Sequence, residues 1–301
     1  MFMLTRPFRV PAATALFVAL WAWPVNLPGQ SPPSLDQVME RAGRYVTGYS
    51  GQVPLLFATE NYSQWKEDEE ANSRAWHRTL IGEFALVRLD SGDDWVSYRD
   101  VRQVDDKRLG PETDRLRSLF LDGGERAGSP AARKLSAESA VYNMAPLGKS
   151  FNTPTIALFF FRPANQPRFE FRKAGDEAID GVRVWRIKYK ETARPTLFRG
   201  PNGSDMPIEG SLWVAPDDGR VFRTHMEIAL RAERTVNRTD SLASVTATYR
   251  VDAADAVLVP AEMKETYEFM AARSLGKNDG RVKVNCTATY TNVQRPRRGS
   301  F

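Results

Sequence analysis

Two histidines, one cysteine and a few neighbouring acids are the residues of this 301-residue chain that could carry covalent or metal chemistry. Their spacing points away from it. His77 and His225 belong to different halves of the chain, and neither stands at ligand spacing from the other or from Cys286, so a zinc site is not expected. No Gly-x-Ser-x-Gly turn offers a serine to a histidine, and no phosphate-cradling glycine loop occurs. Asp93-Asp94, Asp105-Asp106 and Asp217-Asp218 fall where turns are expected, and turn formation accounts for them without a metal. Glu60, Glu83 and Asp100 remain available as paired acids for glycoside cleavage, because such pairs come from distant strands and leave no local signature. Isolated charges on the wet face of a sheet are the plainer explanation. The chain therefore reads as non-catalytic, with no cofactor implied.

The apolar residues carry more information. From Val182 onward the sequence alternates. Trp185, Ile187 and Tyr189 share a face against Arg186 and Lys188, and Phe222, Met226, Ile228 and Leu230 oppose Arg223, His225 and Glu227. Val245, Ala247, Tyr249 and Val251 alternate with Ser244, Thr246, Thr248 and Arg250. Met263, Tyr267 and Phe269 do so with Glu262, Lys264, Thr266 and Glu268, and Val282, Val284, Cys286, Ala288 and Tyr290 close the pattern. Such alternation predicts antiparallel strands with one greasy and one wet face. Asp217-Asp218-Gly219 predicts a tight hairpin joining 210–215 to 221–230. Stretches 53–64, 76–89 and 95–104 predict three earlier strands, with Glu67-Asp68-Glu69-Glu70 as a solvated hairpin tip and Asp90 to Asp94 as a turn.

Helices are fewer. Ser34 is the expected cap of an amphipathic helix carrying Leu35, Val38, Met39, Ala42, Tyr45 and Val46, ended by Gly48. Stretches 114–121 and 131–142 have apolar residues at spacings of three and four, separated by Gly123-Gly124. The run from Asn152 to Phe161 is either a helix opened by Thr153-Pro154 and closed by Pro163, or a buried strand, and in both cases must lie inside. No strand-helix-strand rhythm appears, so the expected fold is mainly β: an α+β half-barrel whose curved antiparallel sheet covers a few helices.

Residues 1–30 read as a signal peptide, with Arg6 and Arg9 ahead of an apolar run from Ala12 to Trp23 that Pro24 ends. That run is short for a membrane span, which needs about 20 residues. Residues 31–301 are then a single half-barrel domain, with a helical insert around 111–163, located in the periplasm or secreted. Cleavage takes away two arginines and no acid, lowering the formal charge from +5 to +3. This mild balance, together with export, argues against nucleic acid as a partner. Peripheral membrane contact through the basic tail Arg295, Arg297, Arg298 is an expectation set against a merely solvated terminus. One cysteine allows no internal disulfide, so the core alone must hold the fold.

The stretch from Ser211 to Val221 (Ser-Leu-Trp-Val-Ala-Pro-Asp-Asp-Gly-Arg-Val) and the later Val257-Leu258-Val259-Pro260-Ala261-Glu262-Met263 resemble the periplasmic lipoprotein-carrier (LolA-like) superfamily, including exported bacterial members with no assigned role. The resemblance in sequence covers about residues 210–267, and in element order most of the chain after residue 30. It implies an incomplete barrel around helices and an apolar cavity. Extra helical material between Pro111 and Tyr142 departs from the pattern, and no position matches a functional arginine of the carriers. The expected ligand is a lipid or other apolar small molecule. It would touch Ile156, Phe159 and Phe160 of the insert, Trp185, Ile187, Tyr189, Phe222, Met226 and Tyr249 of the sheet, and Met263 and Tyr267 beyond. An unfilled volume is then expected beside Trp185, Phe222 and Tyr249. The rival expectation is an envelope protein-protein interaction module with a self-filled core.

Overall fold

The computed structural model describes residues 32–68, 76–90, 94–110, 113–144, 150–200, 203–231, 240–271 and 280–296. The expected signal peptide, Glu69 and Glu70 of the first hairpin tip, and Arg297 and Arg298 of the tail lie outside these. Helix α1 (Leu35–Gln52) starts at Ser34, whose hydroxyl accepts from Gln37 N while the Gln37 side chain accepts from Ser34 N. This reciprocal cap satisfies two donors that the helix itself cannot. Gly48 does not end the helix, which runs on to Gln52 with Val53 as its C-cap. The last turn instead buries Tyr49 and Ser50 against the protein, so packing overrides the glycine's weak helix preference.

Strands β1 (Leu55–Asp68), β2 (Trp76–Arg88), β3 (Trp95–Val104) and β4 (Lys107–Arg108) form a meander. After helices α2 (Arg115–Arg117) and α3 (Pro130–Ala140) and a 3-10 turn (Ile156–Phe161) come β5 (Phe169–Ile179), β6 (Val182–Glu191), β7 (Phe198–Arg199), β8 (Asp205–Met206), β9 (Ile208–Val214), β10 (Val221–Arg231), β11 (Asp240–Val251), β12 (Leu258–Ala271) and β13 (Gly280–Gln294). Strands β7 and β8 pair with each other. The other eleven build one antiparallel sheet in the order β4-β3-β2-β1-β13-β12-β11-β10-β9-β6-β5, with β4 and β5 at separate edges. The sheet is curved and unclosed, a half-barrel of the α+β kind.

Register makes one face continuous. Leu80, Tyr62, Ala288, Met263, Ala247, Thr224, Leu212 and Ile187 are cross-strand neighbours in a single row through eight strands. All eight are buried. The next row runs Gln64, Cys286, Glu265, Val245, Met226, Gly210, Tyr189. At Gly210 the Tyr189 hydroxyl passes over the backbone to donate to the His225 carbonyl at 2.9 Å, and a Cβ there would sit 2.0 Å from that carbonyl oxygen.

Helix α1 and the 3-10 turn share the large core with this inner face. Helices α2 and α3 do not. Leu116, Phe120, Ala132 and Leu135 pack with Leu55, Phe57, Ala85, Val87 and Tyr98, which point the other way from β1, β2 and β3, and make a second, smaller core. The stretch 114–140 therefore covers the back of the first strands, while Tyr142, the Met144 amide and residues 150–168 meet the inner face.

Candidate functional site

The site expected from sequence lies on the inner face. Trp185, Ile187, Tyr189, Phe222, Met226, Tyr249, Met263 and Tyr267 all point to this side and all belong to the one large cluster, together with Phe160 of the 3-10 turn. Ile156 and Phe159 lie at its margin, half-buried. Alternating strand geometry places the sheet residues there without further help. The tight turn exposes two of its aliphatic or aromatic side chains because six consecutive apolar residues cannot all face one way. Phe160 meets Phe169, Tyr189 and Phe198 at ring-centroid distances of 5.6, 6.1 and 6.2 Å, and Phe161 meets Tyr189 at 5.2 Å. Phe159 instead carries Arg162 over its ring, and Arg162 pairs with Asp94 at 2.8 Å.

The inner face is covered by α1 and residues 150–168. None of the four cavities described among these residues is lined by Trp185, Phe222 or Tyr249. Trp185, Phe222 and Tyr249 are nearly covered by the chain, at 5%, 1% and 1% exposed.

Hydrogen bonds from the sheet hold the covering segment at its start. Arg99 is buried on β3 and forks onto Glu60 of β1, with Nη2 donating to Glu60 at 2.9 Å and to Asn152 Oδ1 at 2.6 Å. Its guanidinium lies 3.8 Å from the Tyr62 ring centroid. Glu265 is 1% exposed and accepts from the Tyr62 hydroxyl at 2.8 Å, the Tyr267 hydroxyl at 2.6 Å and Asn152 N at 3.1 Å. Tyr267 accepts from Phe151 N, Gln64 from Met144 N, and Tyr249 donates to the Pro154 carbonyl. Ser97 and Thr153 pair through their hydroxyls at 2.8 Å. Asn152 itself has φ 50°, a left-handed conformation that asparagine tolerates better than most residues.

Burial, reinforced by the Glu265 carboxylate, pushes the Cys286 thiol up to about 12 and holds the Tyr62 and Tyr267 hydroxyls above the ordinary phenol range. All three stay protonated near neutral pH, so Cys286 is not a poised nucleophile and the tyrosines serve as donors.

The acids available for a paired mechanism are each engaged by arginine. Glu60 binds Arg99, Asp100 binds Arg115, and Glu83 binds Arg102 and Arg117, both at 3.2 Å. Burial raises Glu83 above the usual carboxylate range while those two arginines oppose the shift. His77 contacts the Ser63 hydroxyl, and His225 contacts Thr246 and Glu227. In the tail, Arg295 is bound to Asp252 at 3.0 Å and to Asp255, and its side chain is largely buried. That arginine braces the β11–β12 turn.

Sequence reasoning passed over Glu265, Arg99 and Gln64. The signal for Glu265 was present: it lies between Met263 and Tyr267 at an inward position of an otherwise alternating strand.

No family model and no curated protein matches this chain in sequence. Among solved structures it is similar to a DUF1329-family protein of Desulfovibrio piger, at 9% identity and TM-score 0.33 over 90% of this chain and 95% of that one. It is also similar to a putative outer-membrane lipoprotein-sorting protein domain of Vibrio parahaemolyticus, at 11% identity and TM-score 0.29 over 87% and 94%. A third is a LolA-superfamily protein of Nitrosomonas europaea, at 8% identity and TM-score 0.26 over 85% and 94%. Likeness at this level fixes neither ligand nor role.

Proposed function

We propose that this protein is an exported, non-catalytic carrier of an apolar ligand, a lipid or an acyl chain, taken up between the inner face of the half-barrel and the segment 150–161. The cleaved leader at residues 1–30 and the periplasmic or secreted location are part of the same reading. One observation carries it. An apolar surface running through eight strands is covered partly by the 18-residue helix α1 and partly by an arm whose apolar contacts come from a six-residue 3-10 turn, tethered at its start by side-chain hydrogen bonds. The magnitudes allow exchange. A chain of about 14 methylenes gains roughly 11 kcal/mol on burial, whereas uncovering two or three phenylalanines costs roughly 1.5–3 kcal/mol each.

Acyl chain would thus replace Phe160 and Phe161 on Tyr189, and Met226 and Met263 would adapt to it, since thioether side chains repack readily. The closed packing of the inner face supports the rival reading, an envelope interaction module that needs no ligand. The two are separated by labelling. In an Ile156→Cys variant the new thiol is half-buried and the native Cys286 is buried and protonated, so a thiol reagent reports on the turn. A sixteen-carbon fluorescent fatty acid should bind and accelerate labelling at position 156. If protein purified from membranes carries no lipid in native mass spectrometry, and the fatty acid neither binds nor changes labelling, the carrier reading is lost and the interaction module stands.

A further inference from the structure

We infer that the cavity at the open edge of β3 is a headgroup site for an anionic amphiphile, one whose polar end is a phosphate or a carboxylate. This rests on the carrier reading and specifies which ligands it favours. The cavity has a volume of about 350 Å³ and lies between β3, α3 and the arm 150–153. Arg99 and Arg133 line it with serine, threonine and asparagine side chains beside Val96, two alanines and Phe151, and no carboxylate is among the described lining residues. The other three described cavities each carry acids: Glu83 and Asp114 in one, Glu170, Glu209 and Glu227 in another, Asp100 and Glu138 in the third.

Arg99 is 5% exposed, and Glu60 behind it fixes the guanidinium plane through Nε and Nη2. Among the described residues nothing accepts from its Nη1. A held guanidinium with one nitrogen unengaged suits an oxyanion, because the geometry is set before the ligand arrives. Arg133 on the exposed side of α3 supplies a second positive charge, with its Nη1 donating to the Gly128 carbonyl.

The position links this cavity to the interior. Arg99 and Ser97 are inward polar residues of β3, opposite Phe84 and Leu86. Phe151, also at the cavity, stacks on Tyr267 with centroids 6.2 Å apart. A headgroup bound here leaves its chain beside Phe151, at the start of the segment that would have to move.

Isothermal titration of the full mature chain with dodecyl phosphate, dodecyl maltoside and inorganic phosphate, each below micelle concentration, tests the site. Removing Arg99 risks the fold, so the variant is Arg133→Gln with Ser136→Asp, both at exposed positions of α3. Dodecyl phosphate should bind at least about tenfold more tightly than the maltoside, the gain expected of one or two charge-assisted hydrogen bonds. The variant should lose that preference and keep its affinity for the maltoside. Equal binding of the two amphiphiles would overturn the headgroup site and leave the carrier standing, as would a preference that survives in the variant. Inorganic phosphate binding as tightly as dodecyl phosphate would assign the cavity to a free anion and overturn the headgroup assignment. Binding of none of the three would remove both readings.

Discussion

Arg99, Glu60 and Glu265 show what single residues do inside a face that is otherwise apolar. An arginine and a glutamate buried together repay their desolvation only through good geometry, and the fork between them supplies it. Removing one partner is the costly change. Arg99→Met strands Glu60 without a cation and should destabilise the protein by about 3–5 kcal/mol. Adding Glu60→Leu should recover most of the loss, since a well-packed apolar pair of similar volume is tolerated. Urea unfolding of the two variants checks this, and a single-variant cost below about 1 kcal/mol would show that the pair is not what holds Asn152 and the covering arm. Glu265 differs in having only neutral donors, two phenols and one backbone amide. At this scale the alternating pattern identified most inward apolar residues of β6, β10, β11, β12 and β13, because parity along a strand is local, though Val251 at the end of β11 is 43% exposed. It was silent on Arg99, whose burial depends on a partner 39 positions away.

At the scale of elements, one glycine inside α1 and one pressed against it illustrate opposite uses of the residue. Gly219, in the turn between β9 and β10, has φ +80°, and a Cβ there would lie 2.3 Å from the Arg41 carbonyl carbon of α1. The turn is pressed onto the helix, so Gly219→Ala should destabilise by more than about 1 kcal/mol. Gly48 sits inside α1 with open space where a Cβ would go. Gly48→Ala should stabilise by roughly 0.5–1 kcal/mol through the unfolded chain. Thermal or urea unfolding of both variants reads the contrast, and equal effects would contradict the placement of the hairpin against α1. The strands were legible from sequence because alternation and turn residues are short-range signals. The run from Ile156 to Phe161 was not. Its uniform apolarity fits helix and strand alike, and flanking prolines with side-chain bonds from β3, β11 and β12 hold it as a short 3-10 turn.

The whole molecule depends on β13. This last strand is fifth in the sheet, between β1 and β12, and is the only link that hydrogen bonds the β1–β4 meander to the rest of the sheet among the described residues. Neither half can bury its inner face alone, and a sheet cut there exposes two long strand edges. A chain ending at Ala271 should therefore lack a cooperative unfolding transition and be digested rapidly by protease, and a sharp transition in that truncated chain would show that one half folds by itself. The same pairing of distant ends gives the fold high contact order, so refolding should be slow for its size.

Sequence alone determined that the chain is mainly β, which residues of β6 and of most of β10–β13 face inward, and where the Asp217–Gly219 hairpin turns, since each of these follows from the two-residue period or from turn chemistry. Tertiary structure alone decided that α2 and α3 cover the back of the sheet, that the inner face is closed by α1 and a short turn, and that Arg99, Glu60 and Glu265 meet beside Asn152. Those outcomes are contacts between segments far apart in the chain, selected by the fit of whole surfaces, and no local period encodes which surface an amphipathic segment will meet.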